Sequence, residues 1–421
     1  MPRLALKICL AGVLIFALAA CSLPGVHGIT RHSAPPVMRA PWQIVPTPAL
    51  EGLPLHALAV ESANDIWAVS DNTTSDYEIT PILHWNGVTW QAVPLTHDTS
   101  SETIGLFGVA ALSPTDAWVV GGAGVSQGAS ATAEPVIAHW DGSSWQIVPS
   151  PNVEGELVAI SATSASDIWA VGITLSFTEL IEHWDGSEWR VIPDHSARLS
   201  DCPHCAYELQ AVTDLSAQDV WTVGFALSQD APYSMRQVIE HWNGSEWQMA
   251  PSPATASNPA LFSIAANTAS DIWAVGAAVT THGNVTLTEH WDGAAWRVVP
   301  SPNRLAGDSP DQGDALFGVA ARSRDDVWAV GSSHTGDEFH GAGIVAETDP
   351  INAGTTHSQT LIEHWDGKQW SIVPSDDNTN LDLVRSVAFD AQGSVWAAGR
   401  SYSVLGDFGQ PLIEEAGVAQ G

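Results

Sequence analysis

Asp-Ile-Trp-Ala-Val-Gly, residues 167–172, is followed after a short connection by Leu-Ile-Glu-His-Trp-Asp-Gly-Ser-Glu-Trp-Arg-Val-Ile-Pro, residues 180–193. Each apolar run is about five residues long, is rich in β-branched and aromatic side chains, and is bounded by Gly, Asp, Ser or Pro, which is typical of strands. Asp185-Gly186 predicts a tight hairpin, because a type I′ turn needs two residues with positive φ. This stretch therefore predicts a small antiparallel sheet.

The same unit recurs along the whole chain. Asp-x-Trp occurs at Trp67, Trp118, Trp169, Trp221, Trp273 and Trp328, with a variant at Trp396. His-Trp-Asp/Asn-Gly occurs at His84, His139, His183, His241, His290 and His364. A further tryptophan follows each of these pairs, at Trp90, Trp145, Trp189, Trp247, Trp296 and Trp370. A period of roughly fifty residues with four short strands per unit predicts a β-propeller.

The repeat resembles those of the kelch/galactose-oxidase-like and Asp-box (sialidase-type) propellers, over nearly all of residues 42–415. The resemblance implies an all-β fold with four antiparallel strands, A to D, in each blade. Strand A precedes Asp-x-Trp and strand B contains it. Strand C ends at His-Trp, and strand D begins at the following tryptophan.

The two ends of the repeat region are each incomplete. Residues 42–46 form a strand D with no A, B or C before it, whereas the last unit has no strand D after residues 411–414. The two deficits match, so we expect the N-terminal strand to close the last blade and leave no unpaired edge. This count predicts a seven-bladed propeller. Six blades with a decorating fragment are the alternative.

The N-terminus has the layout of an export signal. Arg3 and Lys7 precede an apolar run over residues 8–20, which is too short to span a bilayer comfortably as a permanent helix. Leu18-Ala-Ala-Cys21 resembles the bacterial lipobox, and the resemblance implies that Cys21 is lipidated. An ordinary signal or anchor with a coincidental cysteine is the alternative.

These features divide the chain into three parts. Residues 1–21 are predicted to be a signal peptide with a lipobox, residues 22–41 a proline-containing disordered tether, and residues 42–421 the β-propeller domain. We therefore expect an exported protein of the cell envelope, held by a lipid at the outer face of a bacterial membrane. No other membrane contact and no oligomer is predicted.

The charge of the chain is strongly negative. It has 14 basic and 47 acidic residues, for a formal net charge of −33. Because there is no basic patch, nucleic-acid binding is excluded. An acidic surface favours cations or solubility outside the cell.

Length variation among the repeats is confined to the B–C and D–A connections. Successive strands run antiparallel, so these connections emerge on one face of the propeller, which we call the loop face. The A–B and C–D turns repeat one short pattern on the opposite face. Because binding usually lies on loops held by a rigid scaffold, the loop face is the predicted binding face.

Cys202-Pro-His-Cys205 is a motif that does not repeat. In an exported all-β chain it predicts a disulfide that fixes the D–A loop over residues 194–207. A metal pair with His195 or His204, and thiol redox chemistry, are the alternatives.

Polar residues in the longer loops are candidate ligand sites. The predicted ligand-binding residues belong to the loops around the sixth blade: Asp308, Asp311, Asp314, His334, Asp337, Glu338 and His340. A calcium loop is suggested by oxygen-bearing side chains at alternate positions: Asp376, Asn378, Asn380 and Asp382. Solvated loop charge is the alternative for each group. Calcium is the sole cofactor for which the sequence offers a candidate.

The sequence thus predicts an extracytoplasmic binding protein whose partner is an envelope protein or a glycan. A propeller hydrolase or lyase acting on extracellular carbohydrate is the runner-up, and a structural lipoprotein without a specific ligand is the third alternative. No catalytic residue is predicted, since the chain shows neither the Tyr–Cys pair of a galactose-oxidase-like copper site nor the arginine triad of a sialidase.

Overall fold

The computed structural model describes residues 42–48, 54–70, 80–95, 103–127, 130–193, 202, 204–228, 234–253, 258–280, 283–305, 312–335, 357–375, 382–401 and 410–417. These residues form strands, turns and irregular segments, and no helix occurs among them. Accordingly, none of them belongs to a helix with the length and hydropathy of a membrane span. The predicted signal peptide, Cys21 and the tether lie outside the described residues.

The described residues contain 28 strands. The first thirteen are β1 (Gln43–Ile44), β2 (Leu55–Ser62), β3 (Asp65–Ser70), β4 (Thr80–Trp85), β5 (Trp90–Leu95), β6 (Thr103–Ser113), β7 (Asp116–Gln127), β8 (Ser130–Trp140), β9 (Trp145–Ile147), β10 (Gly155–Ser164), β11 (Asp167–Thr174), β12 (Glu179–Trp184) and β13 (Trp189–Val191). The others are β14 (Cys205–Ser216), β15 (Asp219–Ser228), β16 (Met235–Trp242), β17 (Trp247–Met249), β18 (Pro259–Thr268), β19 (Asp271–Thr280), β20 (Gly283–Trp291), β21 (Trp296–Val298), β22 (Gln312–Ser323), β23 (Asp326–Thr335), β24 (His357–Trp365), β25 (Trp370–Ile372), β26 (Asp382–Phe389), β27 (Val395–Ser401) and β28 (Gln410–Ala416).

The strands pair as antiparallel four-stranded units. Five units are separate sheets, and two more share an eight-stranded sheet through one parallel pairing of Asn284 with Gly313. Numbered in chain order, units 1 to 6 are β2–β5, β6–β9, β10–β13, β14–β17, β18–β21 and β22–β25. Unit 7 combines β26, β27 and β28 with β1. Within each unit the chain runs through strands A, B, C and D, as the repeat predicts.

The N-terminal strand is the edge strand of unit 7. Gln43 and Ile44 pair with Glu415 and Glu414 of β28. Trp42, which is 1% exposed, packs edge-on against Trp328 of unit 6 with ring centroids 5.7 Å apart. The start of the domain therefore contacts two units from the end of the chain.

The histidine of His-Trp ties strand C to strand B inside each of units 1 to 6. Its Nε2 lies 2.7–3.0 Å from Oδ1 of the aspartate in Asp-x-Trp. Its ring lies over the tryptophan of the same Asp-x-Trp, with centroids 4.1–4.5 Å apart. These repeated side chains therefore have a structural role, as the sequence predicts.

Tryptophans join each unit to the next. Trp169 of unit 3 packs against Trp242 and Trp247 of unit 4, with centroids 5.4 and 5.6 Å apart. The same arrangement links the other neighbouring pairs among units 1 to 6. Trp396 of unit 7 lies 5.8 Å from Trp85 of unit 1. Each such pair contributes about 0.5–1.5 kcal/mol beyond its buried area.

An irregularity in strand A favours glycine at the end of the Trp-x-x-Gly segment of strand B. Strand A carries a β-bulge opposite it in every unit, for example between Leu157 and Ala159. A Cβ at Gly172 would overlap the carbonyl oxygen of Glu156, and the equivalent glycines of units 2, 4, 5, 6 and 7 make the same approach. Unit 1 has Ser70 there. The bulge matters for function because it turns one side chain of strand A inward.

Buried glutamates lie between neighbouring units, at the position before His-Trp. The Ser150 hydroxyl donates to Glu182, and the Gln237 side-chain amide donates to Glu289 over 2.7 Å. Burial raises the pKa of Glu182 and of Glu289 to about 7. Burial, reinforced by the charge of Asp314, raises the pKa of Glu363 to about 8. All three carboxyls are fully buried.

These glutamates should make the domain less stable at alkaline pH. Their pKa is higher in the folded than in the unfolded state, so the stability they contribute is complete below about pH 4.5 and is lost as pH rises through 7 to 8. Thermal unfolding between pH 5 and 9 should show Tm falling across this range. Replacing all three by Gln should flatten the profile, whereas Glu188→Gln, on an exposed turn, should leave it unchanged. A Tm that rises with pH would contradict the assignment.

Loss of the N-terminal strand should destabilise the whole domain. Trp42→Ala removes a fully buried ring between units 6 and 7, which costs roughly 3–5 kcal/mol. Deleting residues 42–46 should lower Tm further or abolish soluble expression. Val88→Ala, at a turn residue that is 77% exposed, is the control. Unchanged melting of the deletion variant would show that β1 is a dispensable decoration.

Candidate binding site at the central channel

The A strands of the units surround a common channel. Each A strand contacts that of the next unit, in the order β2, β6, β10, β14, β18, β22 and β26, and β26 contacts β2. Together they line a cavity of about 510 Å³. The bulges lie in the first half of each A strand, which is the half that the D–A connections of the loop face enter.

The bulge of each A strand places one side chain in the channel. These side chains are His56, Phe107, Val158, Gln210, Phe262, Phe317 and Arg385. The residue that follows each of them is Ala, Gly or Ser. A Cβ at Gly108 would lie 3.1 Å from Cα of Ala159 in the next unit, so small residues allow the A strands to converge.

Aromatic rings and a cation line part of the channel wall. The rings of His56 and Phe107 meet edge-on with centroids 5.2 Å apart. Phe262 and Phe317 are 5.5 Å apart, and the Arg385 guanidinium lies 5.4 Å from the centroid of Phe317. The channel thus combines apolar surface with a few polar groups, the composition expected of a ligand site.

A side pocket of about 370 Å³ lies between units 3 and 4 and shares Glu156, Glu208 and Phe225 with the channel. Its other walls are mostly apolar: Ala133, Gly155, Ile173, Thr174, Leu175, Phe177, Ala206 and Leu227. The pocket contains the starts of strands A and the turn between β11 and β12. It therefore belongs to the loop face.

The two carboxyls of the side pocket are half-buried. Burial is the main cause that raises the pKa of Glu208 to about 7, and the charge of Glu156 also raises it, whereas a hydrogen bond from Gln210 lowers it. The Gln210 amide donates to Glu208 Oε1 over 2.6 Å. Burial also raises the pKa of Glu156. Two such carboxyls in one pocket repel each other when both are ionised.

The rim of the side pocket is a rigid turn. Phe177 is 56% exposed and has a φ of +59°, which is uncommon for a bulky residue. Its N–H donates to Thr174 O over 2.9 Å, and its carbonyl accepts from Tyr207 N over 3.1 Å. Leu175 N donates to Glu154 O over 3.1 Å. The turn is thus anchored to both units that form the pocket.

Three of the predicted loop-site residues are described, and all three are buried. Asp314 is fully buried and accepts a hydrogen bond from Leu305 N over 3.0 Å. His334 is 3% exposed, and burial lowers its pKa to about 4. Asp382 is 1% exposed. None of the three lines the channel or the side pocket.

The remaining predicted loop residues lie outside the described residues: Asp308, Asp311, Asp337, Glu338, His340, Asp376, Asn378 and Asn380. Within the part of the chain that the structure describes, no group of three or more His, Cys, Asp or Glu side chains is arranged to hold a metal ion. Calcium binding therefore stays a prediction from the sequence.

Cys202 and Cys205 are joined as a disulfide, with Cα atoms 5.4 Å apart. Both belong to the core cluster of units 3 and 4, together with Tyr207 and Leu209. Cys205 is the first residue of β14, the strand that carries Glu208, and Cys202 lies three positions before it.

The sequence analysis missed Glu156, Glu208 and the bulge residues. A signal was present, since each bulge residue stands between a buried Leu or Val and a small residue, as in Leu209-Gln210-Ala211. When the seven A-strand segments are aligned, one variable position stands between two positions whose residue types hardly vary.

Comparison with known proteins adds fold information. No known protein family and no curated protein matches the chain. Among solved structures, YCF48 bound to D1 peptide aligns with a TM-score of 0.53 and 14% identity, covering 91% of this chain and 97% of that one. An ulvan lyase of polysaccharide lyase family PL25, bound to -[GlcA(1-4)Rha3S]-, aligns with a TM-score of 0.50 and 10% identity, covering 88% and 95%.

A fungal lectin from Aleuria aurantia, described as a six-bladed β-propeller, aligns with a TM-score of 0.42 and 12% identity, covering 79% of this chain and 99% of that one. At such identities a likeness shows the fold alone. YCF48 and the ulvan lyase, which align with TM-scores of 0.53 and 0.50, are β-propellers. The chain is therefore an all-β repeat protein with the β-propeller fold.

Proposed function

We propose that this chain is an extracytoplasmic binding protein, and that a protein or glycan ligand engages its loop face at the mouth of the channel. The observation that carries the proposal is the channel itself. Every unit sends one side chain from a bulge into the same cavity, and these side chains are of five kinds (His, Phe, Val, Gln and Arg) while the surrounding framework repeats. A binding site needs variable side chains that point into one cavity and are held by a constant scaffold.

The proposal includes a seven-bladed ring whose last blade is completed by the N-terminal strand. Two observations support it: the A strands contact one another in a cycle, and β1 pairs with β28. We further propose that the protein acts as a monomer, because a closed ring leaves no long unpaired edge for a second copy. We also propose that the repeat is of the kelch or Asp-box type.

The second candidate function is a lyase or hydrolase for extracellular carbohydrate. The observation in its favour is Glu208, whose pKa of about 7 suits a general acid or base. One β-propeller of similar fold is a polysaccharide lyase and another is bound to a peptide, so similarity supports both candidates. Binding is favoured because the side pocket is walled by Leu, Ile, Phe and Ala side chains and its lining has no basic group to meet an acidic sugar.

Mutation of the loop face should remove binding without unfolding the domain. Residues 42–421 would be applied to a glycan array and a peptide array. The variant Phe177→Ala with Phe317→Ala should weaken every ligand found by at least about tenfold, the loss expected of two anchors worth about 1.4 kcal/mol together. Val88→Ala, at a C–D turn, should change nothing. Ligands that survive the first variant and are lost in the second would place binding on the opposite face.

The predicted loop site of unit 6 can be tested with the same arrays. Replacing residues 336–356 by a short glycine-serine turn should leave Tm nearly unchanged, since insertions in surface loops affect stability little. Loss of array ligands in this variant would extend the binding site to unit 6. Retention would limit it to the channel and the side pocket.

We propose that the chain is exported and held in the cell envelope by a lipid on Cys21, with residues 22–41 as the tether. The supporting observations are the charged and apolar pattern of residues 1–20 and the lipobox-like Leu18-Ala-Ala-Cys21. Cys21→Ser should block lipid labelling and shift the protein from the membrane fraction to the soluble fraction. The unaltered protein is the control, and a variant that still partitions with membranes would refute the anchor.

A further inference from the structure

We propose, on the basis of this binding function, that the side pocket between units 3 and 4 receives a positively charged side chain, lysine or arginine, from a peptide partner. The pocket, its two carboxylates and its aromatic rim lie together on the loop face, and none of them belongs to the sites predicted from sequence.

The size of the pocket fits one long side chain. Its volume of about 370 Å³ is near the lower end of the range for ligand sites. Leu175, Phe177 and Leu227 provide apolar walls on which the methylene chain of lysine or arginine can pack. A side chain entering from the loop face reaches Glu156 and Glu208 at the boundary with the channel.

The charges of the pocket are complementary to a cation. Glu156 and Glu208 are its two ionisable groups, and no Lys, Arg or His lines it. The Glu156 carboxyl has no hydrogen-bond or ion-pair partner among the described residues, whereas Glu208 receives one hydrogen bond from Gln210. An ammonium or guanidinium group would satisfy both carboxylates and remove their mutual repulsion.

The aromatic side chains add a second interaction with a cation. Phe225 is buried in the pocket wall, and Phe177 stands exposed at the rim. A cation within about 6 Å of a phenyl face is attracted by the negative face of the ring, more strongly as water is excluded. Because the turn that carries Phe177 is hydrogen-bonded to both units, its backbone holds Phe177 at the rim of the pocket.

Other ligands fit the pocket less well. Calcium needs six to eight oxygen ligands, and the pocket lining offers two carboxylates and Thr174. A sugar ring needs several hydrogen-bonding partners around its edge, whereas most of this wall is Leu, Ile, Phe and Ala. A basic side chain uses both the apolar wall and the paired carboxylates.

The test uses two capped pentapeptides of glycine and serine with a central lysine, which is free in one and acetylated in the other. Residues 42–421 labelled with ¹⁵N are titrated with each peptide at physiological salt. The free lysine should shift the amides of Phe177, Tyr207 and Glu208 in a saturable way. The acetylated peptide should bind at least tenfold more weakly, since acetylation keeps the length and removes the charge.

Matched variants assign the effect to the pocket. Glu156→Gln with Glu208→Gln should abolish the difference between the peptides. Glu188→Gln with Glu246→Gln removes the same charge from the C–D turns of the same two units, on the opposite face, and should preserve it. If the first pair unfolds the domain, Phe177→Ala, at an exposed position, should still weaken the free-lysine peptide severalfold.

Equal affinity for the two peptides, or an equal loss in both charge variants, would overturn this inference. Loop-face binding of glycans or neutral peptides on the arrays, with no response to either pentapeptide, would overturn it and leave the proposed binding function intact. A protein that binds no array ligand and neither pentapeptide would overturn both.

Discussion

The fold depends on the contact between the aspartate of Asp-x-Trp and the histidine of His-Trp. Held at 2.7–3.0 Å by this hydrogen bond, the histidine ring covers the B-strand tryptophan on one side. The other surfaces of that tryptophan meet two tryptophans of the next unit. One interaction thus sets the pairing of strands B and C within a unit and the surface against which the neighbouring unit packs.

The channel follows from the same framework. In units 2 to 7, the glycine three residues after the strand B tryptophan lies so close to a carbonyl of strand A that a Cβ would overlap it. The bulge that accompanies this approach directs one A-strand side chain toward the axis, and the small residue beside it lets the next unit approach. Packing in the outer strands therefore determines where the side chains of the candidate site lie.

Much of the fold could be predicted because its determinants are local and repeated. Asp185-Gly186 marks a hairpin, as predicted, but the turn is not of type I′: Gly186 has a φ of +90°, Asp185 has no positive φ, and the connection spans residues 185–188 between the paired Trp184 and Trp189. The tryptophans mark strands B, C and D. The candidate site could not be predicted in the same way. Glu156 and Glu208 stand 52 positions apart, and the pocket between them exists only once two units pack together. Asp314, His334 and Asp382 were expected on exposed loops, but extended A and B strands of units 6 and 7 bury them.

At the bulge, the role of the backbone in strand pairing is separate from the role of the side chain. The backbone geometry of the bulge is set by the glycine and the small residue on either side of the pairing, whereas the bulge residue itself has no partner in strand B and lines the channel. His56, Val158 and Arg385 occupy equivalent positions although they differ in size, polarity and charge. The channel wall therefore consists of equivalent positions that carry different side chains on a repeated backbone. A single substitution there would change the lining of the channel while the repeated frame stays the same, much as side chains are exchanged in an antibody loop.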